Sequence, residues 1–95
     1  MSDFDTKMEA LRKRFIERAH NDRASLYTAL ATHDFTTVRN LAHALAGIAG
    51  IFGYNALGAS ASALEEKIEA TSGPDDMSGV QDAAHALLMM LDQLD

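Results

Sequence analysis

Apolar positions recur along this chain with the period of an α-helix, and no run alternates as a half-buried strand would. The first stripe is Met8, Leu11, Phe15 and Ala19, with Asp3 and Asp5 placed to favour a helix N-terminus. It falters at His20-Asn21-Asp22 and resumes at Leu26 and Leu30, which predicts two helices, or one kinked helix, broken near Asn21. Asp34 suits the N-cap of the next helix. There Val38, Leu41, Leu45, Ile48 and Phe52 fall within an arc of about 80°. Gly53 follows as a helix-ending residue in the left-handed conformation. Leu57, Ala61, Leu64 and Ile68 form a further stripe, with Ser60, Ser62, Glu66 and Glu69 on the exposed side. A loop is expected at Ser72-Gly73-Pro74-Asp75. Beyond it Met77, Val80, Ala84, Leu87, Leu91 and Leu94 make a seam for packing against other helices. Isolated helices this long are marginal in water, so the stripes must pack on one another. Short connections favour an antiparallel up-down bundle.

Length and charge narrow the function. Ninety-five residues make one small domain, too short for a doubly wound α/β enzyme. A net charge of -6 argues against nucleic acid or an anionic membrane as partner. No run of about 18 apolar residues is present to span a bilayer, and the Met1 end has no signal-peptide pattern. With no cysteine, disulfides and thiolate metal sites are excluded, which suits a reducing cytoplasm. The absence of Trp argues against a large aromatic-lined ligand pocket.

The helix after Asp34 breaks a local rule. Gly47 and Gly50 lie inside it, and each costs about 1 kcal/mol relative to Ala. With Val38 at zero and about 100° per residue, the apolar arc centres near −30°, and His43 falls at about 140°, Gly50 at about 120° and Gly47 at about 180°. His43 is thus expected opposite the buried stripe, over the small residues Ala46, Gly47 and Gly50 and beside Arg39 and Asn40. Glycines on that side make sense if something bulky must approach the ring. Of the other histidines, His20 lies at the expected break, His33 just before the Asp34 cap and His85 away from the last seam. No pair of His or His and Glu shares a helix face with metal-ligand spacing, so no metal site is expected.

These residues resemble a known signature. His43-Ala44-Leu45-Ala46-Gly47, then Gly53, Leu57 and Leu64-Glu65, match at fixed intervals the His-x-Leu-Lys-Gly, Gly, Leu, Leu-Glu pattern of histidine-containing phosphotransfer (HPt) domains. The resemblance implies one HPt-like helical domain over residues 1–95: an all-α, antiparallel four-helix bundle with a short additional N-terminal helix. It implies that His43 carries a phosphoryl group between aspartyl-phosphates of receiver domains, as a carrier in a two-component phosphorelay and not an enzyme. The departure is Ala46, where the family usually has Lys; Arg39, four residues before His43, is the candidate replacement cation.

The chemistry fits an imidazole, which near neutral pH offers a nitrogen lone pair as nucleophile. Mid-helix N–H groups are already bonded and cannot cradle phosphate, so side-chain cations or a partner's metal must serve. No cofactor of its own is expected; the Mg²⁺ belongs to the receiver. Glu65 has two readings, as orienter of the ring through its second nitrogen or as a carboxylate bonding locally. Asn40 supports the site, and Ala44 and Ile51 join the docking ground for receiver domains of response regulators or hybrid kinases. A cytoplasmic monomer is expected. Two further readings are a phosphotransfer substrate of a separate chemotaxis-type kinase and a noncatalytic helical adaptor using the same face.

Overall fold

The computed structural model describes residues 3–70 and 77–94, and the side chains of all of these except 77 and 78. The expected Ser72-Gly73-Pro74-Asp75 loop and the Met77 side chain lie outside the described residues. Four helices are present among the described residues: α1 (Asp3–Ala31), α2 (Phe35–Ile51), α3 (Asn55–Ala70) and α4 (Met77–Asp92). Each packs on its neighbour in the chain, and α4 returns to α1.

The register is antiparallel at each seam. Phe15 stacks on Phe52, with ring centroids 5.4 Å apart, whereas the other end of α1 turns directly into α2. Gly58 meets Ala46 and Ala49 while Glu65, farther along α3, meets His43, farther back along α2. Arg23 of α1 pairs with Asp92 at the end of α4. The core is a single cluster that includes Phe15, Leu26, Val38, Leu45, Leu64, Leu87 and Leu91. Burial of this apolar surface, at about 25 cal/mol per Å², is the main force holding the bundle.

Three expectations need correction. The N-terminal segment is not a separate short helix: α1 runs unbroken through His20-Asn21-Asp22. Asp22 and Arg23 occupy bundle-facing positions, but Arg18 Nε lies 3.8 Å from Asp22 and Arg23 Nε 3.5 Å from Asp92. No Gly or Pro breaks the helix here; burial holds the Asp22 carboxyl above its ordinary pKa, and the buried Arg23 Nε has no hydrogen-bond partner among the described residues, so the polar pair sits in the stripe without full compensation. Second, the buried stripe of α2 is Val38, Ala42, Leu45 and Ala49, while Leu41, Ile48 and Phe52 are half-buried. The buried face is rotated by about 40° from the expected centre, toward the alanines. Gly58 explains this: a Cβ there would lie 3.6 Å from the Ala46 carbonyl oxygen and 3.7 Å from the Ala49 Cβ, so α3 approaches α2 over its small residues. Ser60 and Ser62 are half-buried, not exposed.

Both ends of α2 are fixed locally. Asp34 caps it, accepting from the Thr37 N–H at 3.3 Å and the Thr37 hydroxyl at 2.6 Å. These bonds hold the Asp34 carboxyl below its ordinary pKa. At the other end Gly53 adopts φ 79°, Tyr54 N–H donates to the Ala49 carbonyl at 3.0 Å and Gly53 N–H to that of Gly50 at 3.3 Å. This is the left-handed C-terminal motif expected of Gly53. The end of α1 has the same form, with His33 at φ 57° in the glycine position and Asp34 N–H donating to the Ala29 carbonyl at 2.8 Å.

Candidate functional site

The site is assembled by the closest pair of helices. Because α3 lies close over the alanines of α2 at Gly58, Glu65 two turns farther on stands beside His43. The Glu65 Oε2 lies 2.7 Å from His43 Nδ1. The imidazole side chain is 76% exposed and its carboxylate partner 19%. One ring nitrogen is therefore engaged at the edge of the bundle, and Nε2 has no hydrogen-bond partner among the described residues. A carboxylate only accepts, so the proton of a neutral ring is held on Nδ1 and the lone pair is left on Nε2.

The surrounding surface is bare. Gly47 and Gly50 are exposed, and a Cβ built at either would meet nothing within 4 Å. Neither glycine is required by helix packing. Asn40 and Ala44 are also exposed, and Ile51 is 69% exposed at the end of α2. Ala46 differs: it is half-buried and packs on the core, so it borders the α2–α3 seam.

Arg39 makes no hydrogen bond to the ring among the described residues. Its Nη1 lies 3.7 Å from Glu69 Oε1, and its Nη2 donates to Asn40 Oδ1 at 3.3 Å. Glu69 was legible only as an exposed position. The missing signal was the helix register: Arg39 is one turn before His43 and Glu69 one turn after Glu65, so antiparallel packing sets the two pairs side by side. Gly58, which permits the approach, stands out in the sequence only as a small residue beside the α3 stripe. His33 has a structural place, with its ring edge-on to Phe35 at 5.8 Å. His20 and His85 are exposed and have no hydrogen-bond or ion-pair partner among the described residues.

Among the described residues no three His, Cys, Asp or Glu side chains come together to hold a metal ion, and no helix is long and apolar enough to cross a membrane. No curated protein and no solved structure matches the chain. A family model, that of the Hpt domain, matches residues 10–95. That match spans all four helices from the third turn of α1 onward, and with the exposed His43 beside Glu65 it leads to one conclusion: the chain belongs to the Hpt domain family, helical bundles that act as histidine phosphotransfer modules in phosphorelays.

Proposed function

We propose that His43 is the phosphoryl-accepting residue and that the chain relays phosphate from a receiver-domain aspartyl-phosphate to another response regulator. The observation that carries this reading is an exposed imidazole whose Nδ1 is taken by Glu65 at 2.7 Å, over ground cleared by Gly47 and Gly50.

The step follows from that arrangement. The Nε2 lone pair attacks phosphorus, an N–P bond forms, and the P–O bond to the aspartyl carboxylate breaks with its electron pair leaving on the carboxylate. The ring gains positive charge, and the proton remains on Nδ1, where Glu65 offsets it. Reversal of the same step delivers the phosphoryl group to the next aspartate. Glu65 is thus a positioning residue, acting through the ring. In this reading the divalent ion is the receiver's, and the chain is a carrier without turnover of its own. Its place is the cytoplasm, where its partners are. Arg39 serves as the replacement cation once it exchanges Glu69 for the incoming phosphate, the two being only 3.7 Å apart and both well exposed.

The test is transfer from a receiver carrying a radiolabelled phosphoryl group, with Mg²⁺. The wild type takes up an acid-labile label, and His43→Gln takes up none. A labelled His43→Gln protein would overturn the assignment. Arg39→Gln slows transfer with the label still on His43. Labelling by a histidine kinase with no receiver present would identify the kinase-substrate reading instead, at the same nitrogen.

A further inference from the structure

A phosphoryl group on His43 changes the charge balance there abruptly, since it brings about 1.5 to 2 negative charges. Helices α2 and α3 carry two side chains of permanent positive charge to meet it, Arg39 and Lys67. Lys67 lies on the α4 side of α3, its Nζ 3.9 Å from where a Cβ at Gly79 would stand. His43 stands at the α2–α3 seam with Arg39 one turn before it, so Arg39 is the cation within reach. Three carboxylates share this stretch of α3. Glu65 holds the ring at 2.7 Å, and Glu69 holds Arg39. Glu66 is exposed and has no hydrogen-bond or ion-pair partner among the described residues.

Both terminal nitrogens of Arg39 are occupied in the unphosphorylated chain. Nη1 lies 3.7 Å from Glu69 Oε1, and Nη2 donates to Asn40 Oδ1 at 3.3 Å. The guanidinium fork that would grip a phosphoryl group is thus already engaged. Asn40 is a neutral neighbour on the same helix, whereas Glu69 brings a full opposite charge from the other helix. With Glu65 at zero and about 100° per residue, the buried stripe of α3 centres near −70°, Gly58 falls at about 20°, Glu69 at about 40° and Glu66 at about 100°. Glu69 therefore lies on the flank that α2 covers, with Gly58 and Glu65, while Glu66 points directly away from the bundle.

We infer, resting on the reading of His43 as the phosphoryl acceptor, that Glu69 is a positioning residue that acts through Arg39 and sets how tightly the chain holds its phosphoryl group. Transfer forms the N–P bond at Nε2 as the P–O bond to the receiver's aspartate breaks, and the reverse step restores both. No atom of Glu69 takes part. What Glu69 changes is the state of Arg39 before and after. In the free chain the guanidinium is paired with Glu69, and it must leave that carboxylate to pair with phosphate. Breaking the pair weakens the phosphorylated state relative to the free one and biases the equilibrium toward the receiver. The chain is thereby tuned to pass its phosphoryl group on and not to store it. The two side chains are 43% and 53% exposed, so the bias is modest, about two- to fivefold in the equilibrium.

The measurement is the partition of label between the 95-residue chain and a receiver domain supplied with a radiolabelled aspartyl-phosphate and Mg²⁺, read once the ratio is constant. Partition is an equilibrium quantity, so a variant that transfers slowly still reports it. Glu69→Gln moves label toward the chain about two- to fivefold, and Glu69→Asp returns part of the way to wild type. Glu66→Gln removes the same charge without touching Arg39 and leaves the partition near wild type. In an Arg39→Gln background Glu69→Gln gains no more than Glu66→Gln does. Raising the salt from about 0.1 M to about 1 M shrinks the Glu69→Gln gain, because both charges are exposed. A Glu69→Gln gain no larger than that of Glu66→Gln, or one undiminished in the Arg39→Gln background, would overturn the role of Glu69. Those results leave His43 labelled, whereas failure of the acceptor reading itself shows as a labelled His43→Gln protein.

Discussion

Replacing Gly47 should raise stability and lower function together. The residue sits inside α2 with an ordinary helical backbone, and an added Cβ meets nothing within 4 Å. No clash offsets the gain in helix propensity, which is about 1 kcal/mol for Gly→Ala. In a domain of this size that corresponds to roughly 4–8 °C in melting temperature. Gly47→Leu should be nearly as stable, since Leu is almost as good a helix former. Its bulk, however, stands on the ground beside His43 that a docking partner must cover. Overpacking a close interface costs about 1–3 kcal/mol, so transfer efficiency should fall roughly 5- to 150-fold. Gly53→Ala provides the contrast: space is equally open there, but φ is 79°, and stability should drop by about 1–2 kcal/mol. Melting followed by circular dichroism, with receiver-driven labelling of the same preparations, checks both halves. If Gly47→Leu accepts phosphate at the wild-type rate, the glycine is not there for clearance. If Gly47→Ala gains no stability, the account of its helix position fails.

Other substitutions separate positioning from packing. Glu65→Gln should slow phosphoryl acceptance by about tenfold or more, with Glu65→Asp recovering part of it and the pH profile of transfer altered, because the carboxylate fixes which nitrogen carries the proton. His33→Gly should stabilise by up to about 1 kcal/mol in urea unfolding, since φ 57° strains a residue with a side chain, whereas His33→Ala should gain nothing. Asp34→Ala should lower the melting temperature at pH 7. The Asp34 carboxyl has a folded pKa held below its ordinary value by the Thr37 bonds, so its contribution is present above the unfolded pKa and is lost as pH falls through the folded one. The gap between wild type and variant should therefore close in acid.

The helical period, the Asp34 cap, the left-handed Gly53 and the outward direction of His43 were all legible in the sequence. Each depends on a residue's own backbone preference or on its angle within one helix, which local spacing carries. The continuity of α1 was not legible, because the polar run His20-Asn21-Asp22 interrupts the apolar period although no Gly or Pro interrupts the backbone, and only packing by the other helices buries Phe15, Ala19, Leu26 and Ala29 in one core. Nor was the true buried face of α2. Side-chain size pointed to Leu41 and Ile48, but close packing at Gly58 rewarded Ala42 and Ala49. The pairing of Glu65 with His43, and of Glu69 with Arg39, required the register of two antiparallel helices. A linear pattern fixes which way a side chain leaves its own helix; only packing fixes what it meets, because contact distance depends on the backbone separation that small residues on both partners jointly allow.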